Sequence, residues 1–310
     1  MTEEVKLRSP RDRIALAAKV LWLITIIGFA TWYILSNWEE IGSYAAALSV
    51  PQILGSIVGV IVGRVLLAAI SRLALEVYGA SVTVSISFWI NAVSQLGKYI
   101  PGSVWHFVGR IALYRRQGVS VSAGSRVLLV ENSALFVSGG FLGLVPLADL
   151  FFRSRPTSGG AGIPTLALVV TAALTLWWLT VTYVPRLIAR RFSDLERLPK
   201  LQLYWLCVGL WASFGLAFWA LSPPESLTVQ MLPLAIGAFS LAWIAGNIAP
   251  FAPAGIGVRE AVIVALLGPH LGVGVAVGMA ASSRLIWTVA ELGVAPLASY
   301  KLERAHHGTS

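Results

Sequence analysis

Charged side chains inside long apolar segments are the residues of this sequence best able to do chemistry. These side chains are Arg64, Glu131, Arg259, Glu260, Arg284 and Glu291, with Lys98 between two apolar runs. A charge at the centre of a membrane-spanning helix costs on the order of 2.5–3.5 kcal/mol, so it normally faces a partner or a cavity. Arginine can bind a phosphate group through two parallel hydrogen bonds. The pattern indicates an anion site inside an apolar protein.

Two polar stretches rich in proline and glycine interrupt the apolar sequence beside these charges. The stretches cover residues 95–103 and 247–260. Backbone that leaves a helix at membrane depth persists only where protein or a wet cavity accepts its hydrogen bonds. Each break also begins a new half-helix, whose free N–H groups and dipole favour an anion, and glycine lets a phosphate approach closely. The turn residues predicted to contact the anion are Pro101, Gly102, Ser103, Gly255 and Gly257.

The intramembrane charges divide into three predicted roles. The predicted phosphate ligands are Lys98, Arg259 and Arg284. The carboxylates predicted to balance the empty cavity or to exchange protons are Glu131, Glu260 and Glu291. Weaker candidates for substrate contact are Arg64, Arg110 and Arg126. A purely structural alternative remains, in which Arg259 and Glu260 form ion pairs with Glu291 and Arg284 that lock the second break.

The composition indicates a membrane protein. Hydrophobic residues make up 57% of the 310 residues and charged residues only 12%, whereas a soluble domain has about 25% charged residues. The net charge of +9 comes from basic residues grouped in loops, which indicates membrane topology and not nucleic-acid binding. The single cysteine excludes an intrachain disulfide, and the histidines lack metal-ligand spacing. We therefore predict no metal, no cofactor and no catalytic residue.

The distribution of Lys and Arg predicts the topology. Basic residues outside the apolar segments concentrate near 6–19, 115–116, 186–200 and 301–304, and cytoplasmic loops are enriched in such residues. With these four segments inside, the spanning helices are predicted at about 17–35, 53–77, 123–148, 163–188, 201–221 and 272–298. Segments 83–114 and 229–269 then begin and end on one side of the membrane. We predict that both are re-entrant helical hairpins, with tips at 98–103 and 250–257.

This arrangement predicts an inverted-topology repeat. Residues 17–150 and 163–300 each contain three spans and one hairpin, and an odd number of crossings inverts the second copy. Trp89-Ile90 and Trp243-Ile244 precede the two breaks as a weak sequence echo. The predicted fold is an all-α integral membrane protein with about six spanning helices and two re-entrant hairpins, forming one transmembrane domain over residues 1–310. Both termini are predicted to be cytoplasmic.

Two motifs resemble signatures of the lysylphosphatidylglycerol synthase transmembrane family. The first runs Gly97-Lys98-Tyr99-Ile100-Pro101-Gly102-Ser103-Val104-Trp105 and is followed by Arg126-Val127-Leu128-Leu129-Val130-Glu131-Asn132. The second is Pro253-Ala254-Gly255-Ile256-Gly257-Val258-Arg259-Glu260 with the later Arg284, and Ala254 replaces a common glycine. The resemblance covers roughly residues 15–300. It implies a stand-alone member that translocates a lipid, since no soluble aminoacyl-transfer domain is present.

The site and the resemblance together predict a flippase-like or scramblase-like lipid transporter. Its substrate is predicted to be a lipid with an anionic phosphate headgroup, foremost a polyprenyl-phosphate-linked sugar. Phospholipids, including aminoacylated ones, are the alternative. Because the sequence has no ATP-binding P-loop, transport is expected to run downhill or to be coupled to an ion or to the membrane potential. The expected location is a bacterial cytoplasmic membrane, with glycosyltransferases or other cell-envelope biosynthesis proteins as partners.

An integral membrane glycosyltransferase is the alternative class. Such an enzyme would use a polyprenyl-phosphate donor and a carboxylate on an outer loop, for which Glu39 and Glu40 are the candidates. A channel is disfavoured because the charges of the predicted site are mixed.

Overall fold

The computed structural model describes residues 38–99, 104–153, 163–188, 197–249 and 252–307. Within these ranges the secondary structure is helical, without β-strands, which confirms the all-α prediction for them. The predicted span at 17–35 lies outside the described residues, and so do Pro101, Gly102 and Ser103.

Ten α-helices follow one another along the described chain. In chain order they are α1 (Trp38–Ala47), α2 (Val50–Val77), α3 (Val84–Gln95), α4 (Trp105–Arg116), α5 (Val121–Arg153), α6 (Ile163–Ile188), α7 (Lys200–Trp219), α8 (Met231–Ile248), α9 (Val258–Leu271) and α10 (Val273–His307). Short 3₁₀ helices cover Leu96–Tyr99, Pro224–Ser226 and Pro253–Gly255.

Five described helices are long and apolar enough to cross a membrane, as expected of a multi-pass membrane protein. They are α2, α5, α7, α8 and the Val273–Ala298 part of α10. Four of them coincide with the predicted spans at 53–77, 123–148, 201–221 and 272–298. Helix α6 matches the predicted span at 163–188 in its bounds, with a shorter apolar stretch over Ala167–Tyr183.

Helix α8 occupies the first part of segment 229–269, which is predicted to be a hairpin. It has 18 residues, which makes it about 27 Å long, close to the thickness of a bilayer core. Its length follows from a largely apolar sequence without charged residues between Met231 and Ile248, where the proline at position 233 falls in the first turn and does not interrupt the helix. Length alone therefore allows α8 to be a full span.

Local sequence explains where helices begin and end around the core. At the start of α2, the Ser49 backbone N–H donates to Gln52 Oε1 at 2.9 Å, and Pro51 occupies the first turn, which is favourable there. Thr83 caps α3 by accepting from the Ile86 N–H at 3.2 Å. After α2, Gly79 with φ of 74° ends the helix, since a left-handed residue cannot continue it.

Close helix contacts in the core depend on glycine. A Cβ atom added at Gly63 would lie 2.2 Å from the ring of Phe214, and one at Gly143 would lie 2.3 Å from Leu241. These glycines bring α2 against α7 and α5 against α8, as small residues do in membrane helix packing. Aromatic rings fill the space between the helices, among them Trp211, Phe214, Phe239, Trp243 and Trp287.

Two helix pairs are interrupted at the predicted breaks. The first broken pair is α3 and α4, and the second broken pair is α8 and α9. In the second, Ala254 has φ of 51° and Gly255 has φ of 71°, a backbone conformation that only glycine adopts without cost. The 3₁₀ turns of the two pairs, Leu96–Tyr99 and Pro253–Gly255, contact each other. The fold thus brings together two segments more than 150 positions apart in the sequence.

Candidate functional site

A cavity of about 430 Å³ lies where the two turns meet α2, α4, α5, α7 and α8. Its lining includes four cationic side chains and one carboxylate, namely Arg64, Lys98, Arg110, Arg259 and Glu131. Amide side chains of Gln95, Asn132 and Asn247 and the rings of Trp211, Trp243 and Trp287 complete much of the surface. The cavity is therefore amphipathic, with positive charge concentrated in its polar part.

The first charge cluster joins α2, the first turn and α10. Arg64 Nη2 and Lys98 Nζ both donate to the same oxygen, Oε1 of Glu291. The Glu291 side chain has no exposed surface, and Arg64 is also buried. The Arg64 guanidinium lies 5.1 Å from the centroid of the Trp287 ring, a favourable cation–π distance. Two cations here share one carboxylate oxygen.

The second charge cluster joins α2, α3, α4 and α5. Arg110 donates from Nη1 to Glu131 Oε1 at 2.6 Å and from Nη2 to Glu131 Oε2, which makes the pair bidentate. Ser71 Oγ accepts from Arg110 Nη2 at 2.6 Å and donates to Glu131 Oε2 at 2.5 Å. Asn91 Nδ2 donates to the same hydroxyl at 3.3 Å. Because all four side chains are buried, these bonds offset the desolvation of the two charges.

The third charge cluster lies within the second break. Arg284 Nε is 2.9 Å from Glu260 Oε1, and Arg284 Nη2 donates to the Ala254 carbonyl at 2.9 Å. The Gly257 backbone N–H donates to Glu260 Oε2 at 2.7 Å. Arg284 thus pairs with Glu260 and fastens the turn, as the structural alternative expects of this pair. The Gly257 N–H, predicted to face an anion, bonds to this carboxylate.

The side chain of Arg259 reaches the main cavity across two glycines. A Cβ atom added at Gly246 would lie 2.5 Å from Arg259 Nε, and one at Gly255 would lie 2.9 Å from the same atom. Any larger residue at either position would displace the guanidinium. The predicted turn residue Gly255 therefore contributes space for an arginine within the cavity wall.

The structure separates the predicted site residues into groups. The predicted residues that line the main cavity are Lys98, Gly255, Arg259, Glu131, Arg64 and Arg110. Glu260 and Arg284 line a smaller adjacent pocket of about 20 Å³, which Lys98 and Arg259 also border. Arg126 lies 5.7 Å from the centroid of the Tyr78 ring. Glu39, a candidate of the glycosyltransferase alternative, is exposed on α1.

Sequence reasoning missed three residues that build the site. Ser71 follows Arg64 by seven residues, which places both on one face of α2, and this spacing is a signal that the sequence offers. Asn91 precedes the first break, and it donates Nδ2 to the Ser87 carbonyl as well as to Ser71. Gly246 resembles any glycine of a membrane helix, so only its contact with Arg259 reveals its role.

No protein-family model and no curated protein matches this chain. Among the described residues, no group of three His, Cys, Asp or Glu side chains is arranged to hold a metal ion.

Proposed function

We propose that this protein is a lipid transporter that translocates a lipid with an anionic phosphate headgroup across the membrane. The observation that carries the proposal is the cavity of about 430 Å³, rich in cationic side chains and surrounded by helices long enough to span a bilayer. Its volume lies within the range of about 300–1,000 Å³ typical of ligand sites. Without a P-loop in the sequence, movement is downhill or coupled to an ion or the membrane potential.

The charge of the cavity favours a headgroup with phosphate and without an amine. Arg64, Lys98, Arg110 and Arg259 face it, whereas the carboxylates at the site are Glu131 and the adjoining Glu291. In a site of low dielectric constant this excess of cations attracts a phosphate and repels an ammonium group. A polyprenyl-phosphate-linked sugar therefore fits better than an aminoacylated phospholipid.

The amides and aromatic rings of the lining suit a sugar next to the phosphate. Asn132 donates Nδ2 to the Leu128 carbonyl at 2.8 Å, and Asn247 donates Nδ2 to the Trp243 carbonyl at 2.7 Å. Each amide retains a second hydrogen and a carbonyl oxygen with which hydroxyl groups can bond. Aromatic walls with a few oriented polar groups are the usual composition of a pocket for an organic ligand.

An inverted repeat with two re-entrant hairpins is part of this proposal. In the proposed repeat, α2, α3, α4 and α5 correspond to α7, α8, α9 and α10. The contact between α3 and α10 then corresponds to the contact between α8 and α5. The contact between α2 and α3 likewise corresponds to the contact between α7 and α8. The two turns contact each other, which is compatible with an axis of twofold pseudosymmetry between them.

Hydrogen bonds repeat in the same way. Arg110 of α4 pairs with Glu131 of α5, and in the second half Glu260 of α9 pairs with Arg284 of α10, with the charges exchanged. In each half, the ion pair joins the helix after the break to the next helix along the chain, α4 to α5 in the first half and α9 to α10 in the second. This correspondence supports a duplicated unit whose residues diverged while the contact persisted.

A second equivalent contact joins the halves to each other. Arg64 of α2 bonds to Glu291 of α10, and Trp211 of α7 donates Nε1 to Ser138 Oγ of α5 at 2.8 Å. Ser138 follows Glu131 of α5 by seven residues, and Glu291 follows Arg284 of α10 by seven residues. Transporters with inverted repeats place their substrate between the repeats, where the cavity lies.

Membership of the lysylphosphatidylglycerol synthase transmembrane family is proposed on the two motifs alone. Lys98 of the first motif and Arg259 of the second border the same cavity. This juxtaposition supports a shared role in binding the substrate. Glycosyltransferases or other cell-envelope proteins of a bacterial cytoplasmic membrane would then supply or use the transported lipid.

A headgroup-accessibility assay in proteoliposomes tests the function. Vesicles carry a labelled polyprenyl-phosphate sugar or a labelled anionic phospholipid on one leaflet, without ATP, and a membrane-impermeant reagent reports sidedness. We expect the protein to accelerate loss of sidedness over protein-free vesicles, fastest for the sugar-bearing lipid. Equal rates with and without protein for both lipids would refute the transport function. Product formation that disappears in Glu39→Ala/Glu40→Ala would favour the glycosyltransferase alternative instead.

A further inference from the structure

A groove runs along the outer surface between α4 and α5. Its lining consists of Val108, Ile111, Ala112, Arg115, Arg116 and Val121. Four of these six residues are apolar, and the two arginines, both exposed, are the last residues of α4. A lipid likewise has an apolar hydrocarbon chain followed by a charged phosphate, so its two parts match the apolar and basic parts of the groove.

The groove lies beside the central cavity. Ile111 lines both of them, and a Cβ atom added at Gly124 of α5 would lie 3.8 Å from its side chain, so Ile111 stands between the two spaces. Ser125 and Leu129 of α5 line the cavity and are exposed, Leu129 to 61%. Exposed residues in the lining indicate that the cavity is open beside α5.

A smaller pocket lies between α9 and α10 of the second half. It measures about 20 Å³, borders Lys98 and Arg259, and has the ion pair of Glu260 and Arg284 in its wall. An ion pair of Arg110 and Glu131 joins α4 to α5 in the same way, so the two halves differ in the size of the space beside the pair, about 430 Å³ in the first and about 20 Å³ in the second. The larger space favours access of a lipid from the side of α4 and α5.

We propose that an anionic lipid reaches the cavity through this access groove. Arg115 and Arg116 contact its phosphate at the membrane surface, and its chain lies against Val108, Ile111 and Val121. The phosphate then passes Ser125 into the cavity while the chain remains in the groove, in contact with the bilayer. The proposal rests on the transport function but adds the path and the first contact of the substrate.

Photo-crosslinking locates the lipid directly. The protein is reconstituted in phosphatidylcholine vesicles with a small amount of phosphatidic acid that carries a diazirine in its acyl chain. After irradiation, adducts are mapped by mass spectrometry. We expect adducts to concentrate on Val108, Ile111 and Val121, and Arg115→Gln/Arg116→Gln to reduce them by at least about fivefold, since each basic residue near a membrane surface attracts anionic lipid.

A second basic groove supplies the matched control. The groove at the start of α7 is apolar, includes Lys200, and shares no lining residue with the central cavity. Arg197→Gln/Lys200→Gln removes the same charge as the arginine pair, and the adducts between α4 and α5 should be unchanged. Adducts spread evenly over the protein surface, or equal loss in both double variants, would overturn the access groove.

A transport measurement separates this inference from the function itself. Leu129→Trp places a large ring at the opening, and Leu285→Trp does so at a residue of α10 that is 66% exposed. We expect Leu129→Trp to slow lipid transport severalfold and Leu285→Trp to leave it unchanged, with both variants folded by thermal unfolding. Equal transport by the two variants would refute the groove while the function stands. Absence of transport by the wild-type protein would refute the function, and the adduct map would still decide the groove.

Discussion

Glu291 is the residue on which the electrostatics of the cavity depend. Its buried carboxylate accepts from both Arg64 and Lys98, so within this cluster one negative charge serves two positive ones. A buried charge without sufficient compensation is costly. The two donors together offset the desolvation of the Glu291 carboxylate.

Loss of a buried charge partner should destabilise the protein far more than loss of an exposed one. Arg110→Gln leaves the buried Glu131 carboxylate without its bidentate partner, and we expect a loss of roughly 3–5 kcal/mol in the free energy of unfolding. Arg72, which forms an exposed pair with Glu76 on α2, is the matched control, and Arg72→Gln should cost about 0.5 kcal/mol or less. Detergent-solubilised variants are compared by chemical unfolding. Similar stability of the two variants would contradict the buried pair.

Arg259 should be needed for lipid transport, whereas Arg284 should be needed for the stability of the fold. Arg259 borders the main cavity, so Arg259→Gln should abolish lipid transport and shift the thermal midpoint by no more than about 2 °C. Arg284 bonds to Glu260 and to the Ala254 carbonyl, so Arg284→Gln should lower the midpoint because it loosens the second turn. Both quantities are measured on the same preparations. Wild-type transport by Arg259→Gln would show that this arginine does not bind the substrate.

At the scale of helices, glycine positions decide how closely α5 and α8 approach. Gly143→Ala would place a Cβ atom 2.3 Å from Leu241, whereas the space around Gly140 on the same helix is open to at least 4 Å. We expect Gly143→Ala to destabilise the protein by about 1–3 kcal/mol through overpacking. Gly140→Ala should leave stability equal or raise it by up to about 1 kcal/mol, because alanine favours helix. Equal effects in thermal unfolding would place the α5–α8 contact elsewhere.

At the scale of the whole molecule, the path of α8 and α9 distinguishes a re-entrant hairpin from a full span. We expect Val229→Cys and Val273→Cys to be labelled by an impermeant thiol reagent from the same side, opposite to Ser120→Cys in the turn after α4. Buried Cys207 is replaced by serine in each variant. Labelling of the first two positions from opposite sides would make the 18-residue α8 a span and would refute the inverted repeat.

Helix positions were accessible to sequence reasoning because the signals are local. The predicted span at 53–77 became Val50–Val77, and that at 201–221 became Lys200–Trp219, since apolar length and adjacent polar residues define a membrane helix. The breaks near Lys98 and Gly255 were likewise readable from proline and glycine. The interpretation of α8 as one arm of a hairpin depended on counting crossings, and it stays a prediction because the 18 residues of this helix are also enough for a span.

Charge partners required the tertiary structure because they depend on distant parts of the chain. The sequence predicted that Arg284 would bind substrate or pair with Glu260 or Glu291, and the structure pairs it with Glu260. Glu291 instead accepts from Arg64, 227 positions away, and from Lys98, 193 positions away, separations that no local pattern encodes.

By itself, the sequence determined that this is a helical membrane protein with charged residues beside two broken helices, because hydrophobicity and backbone conformation are properties of neighbouring residues. Only the tertiary structure decided that the two turns touch and that four cations converge on one cavity. It alone also revealed the ion pairs that join α4 to α5 and α9 to α10. Those features arise from packing between helices distant in the chain, where the shape of each surface depends on the side chains of all its neighbours.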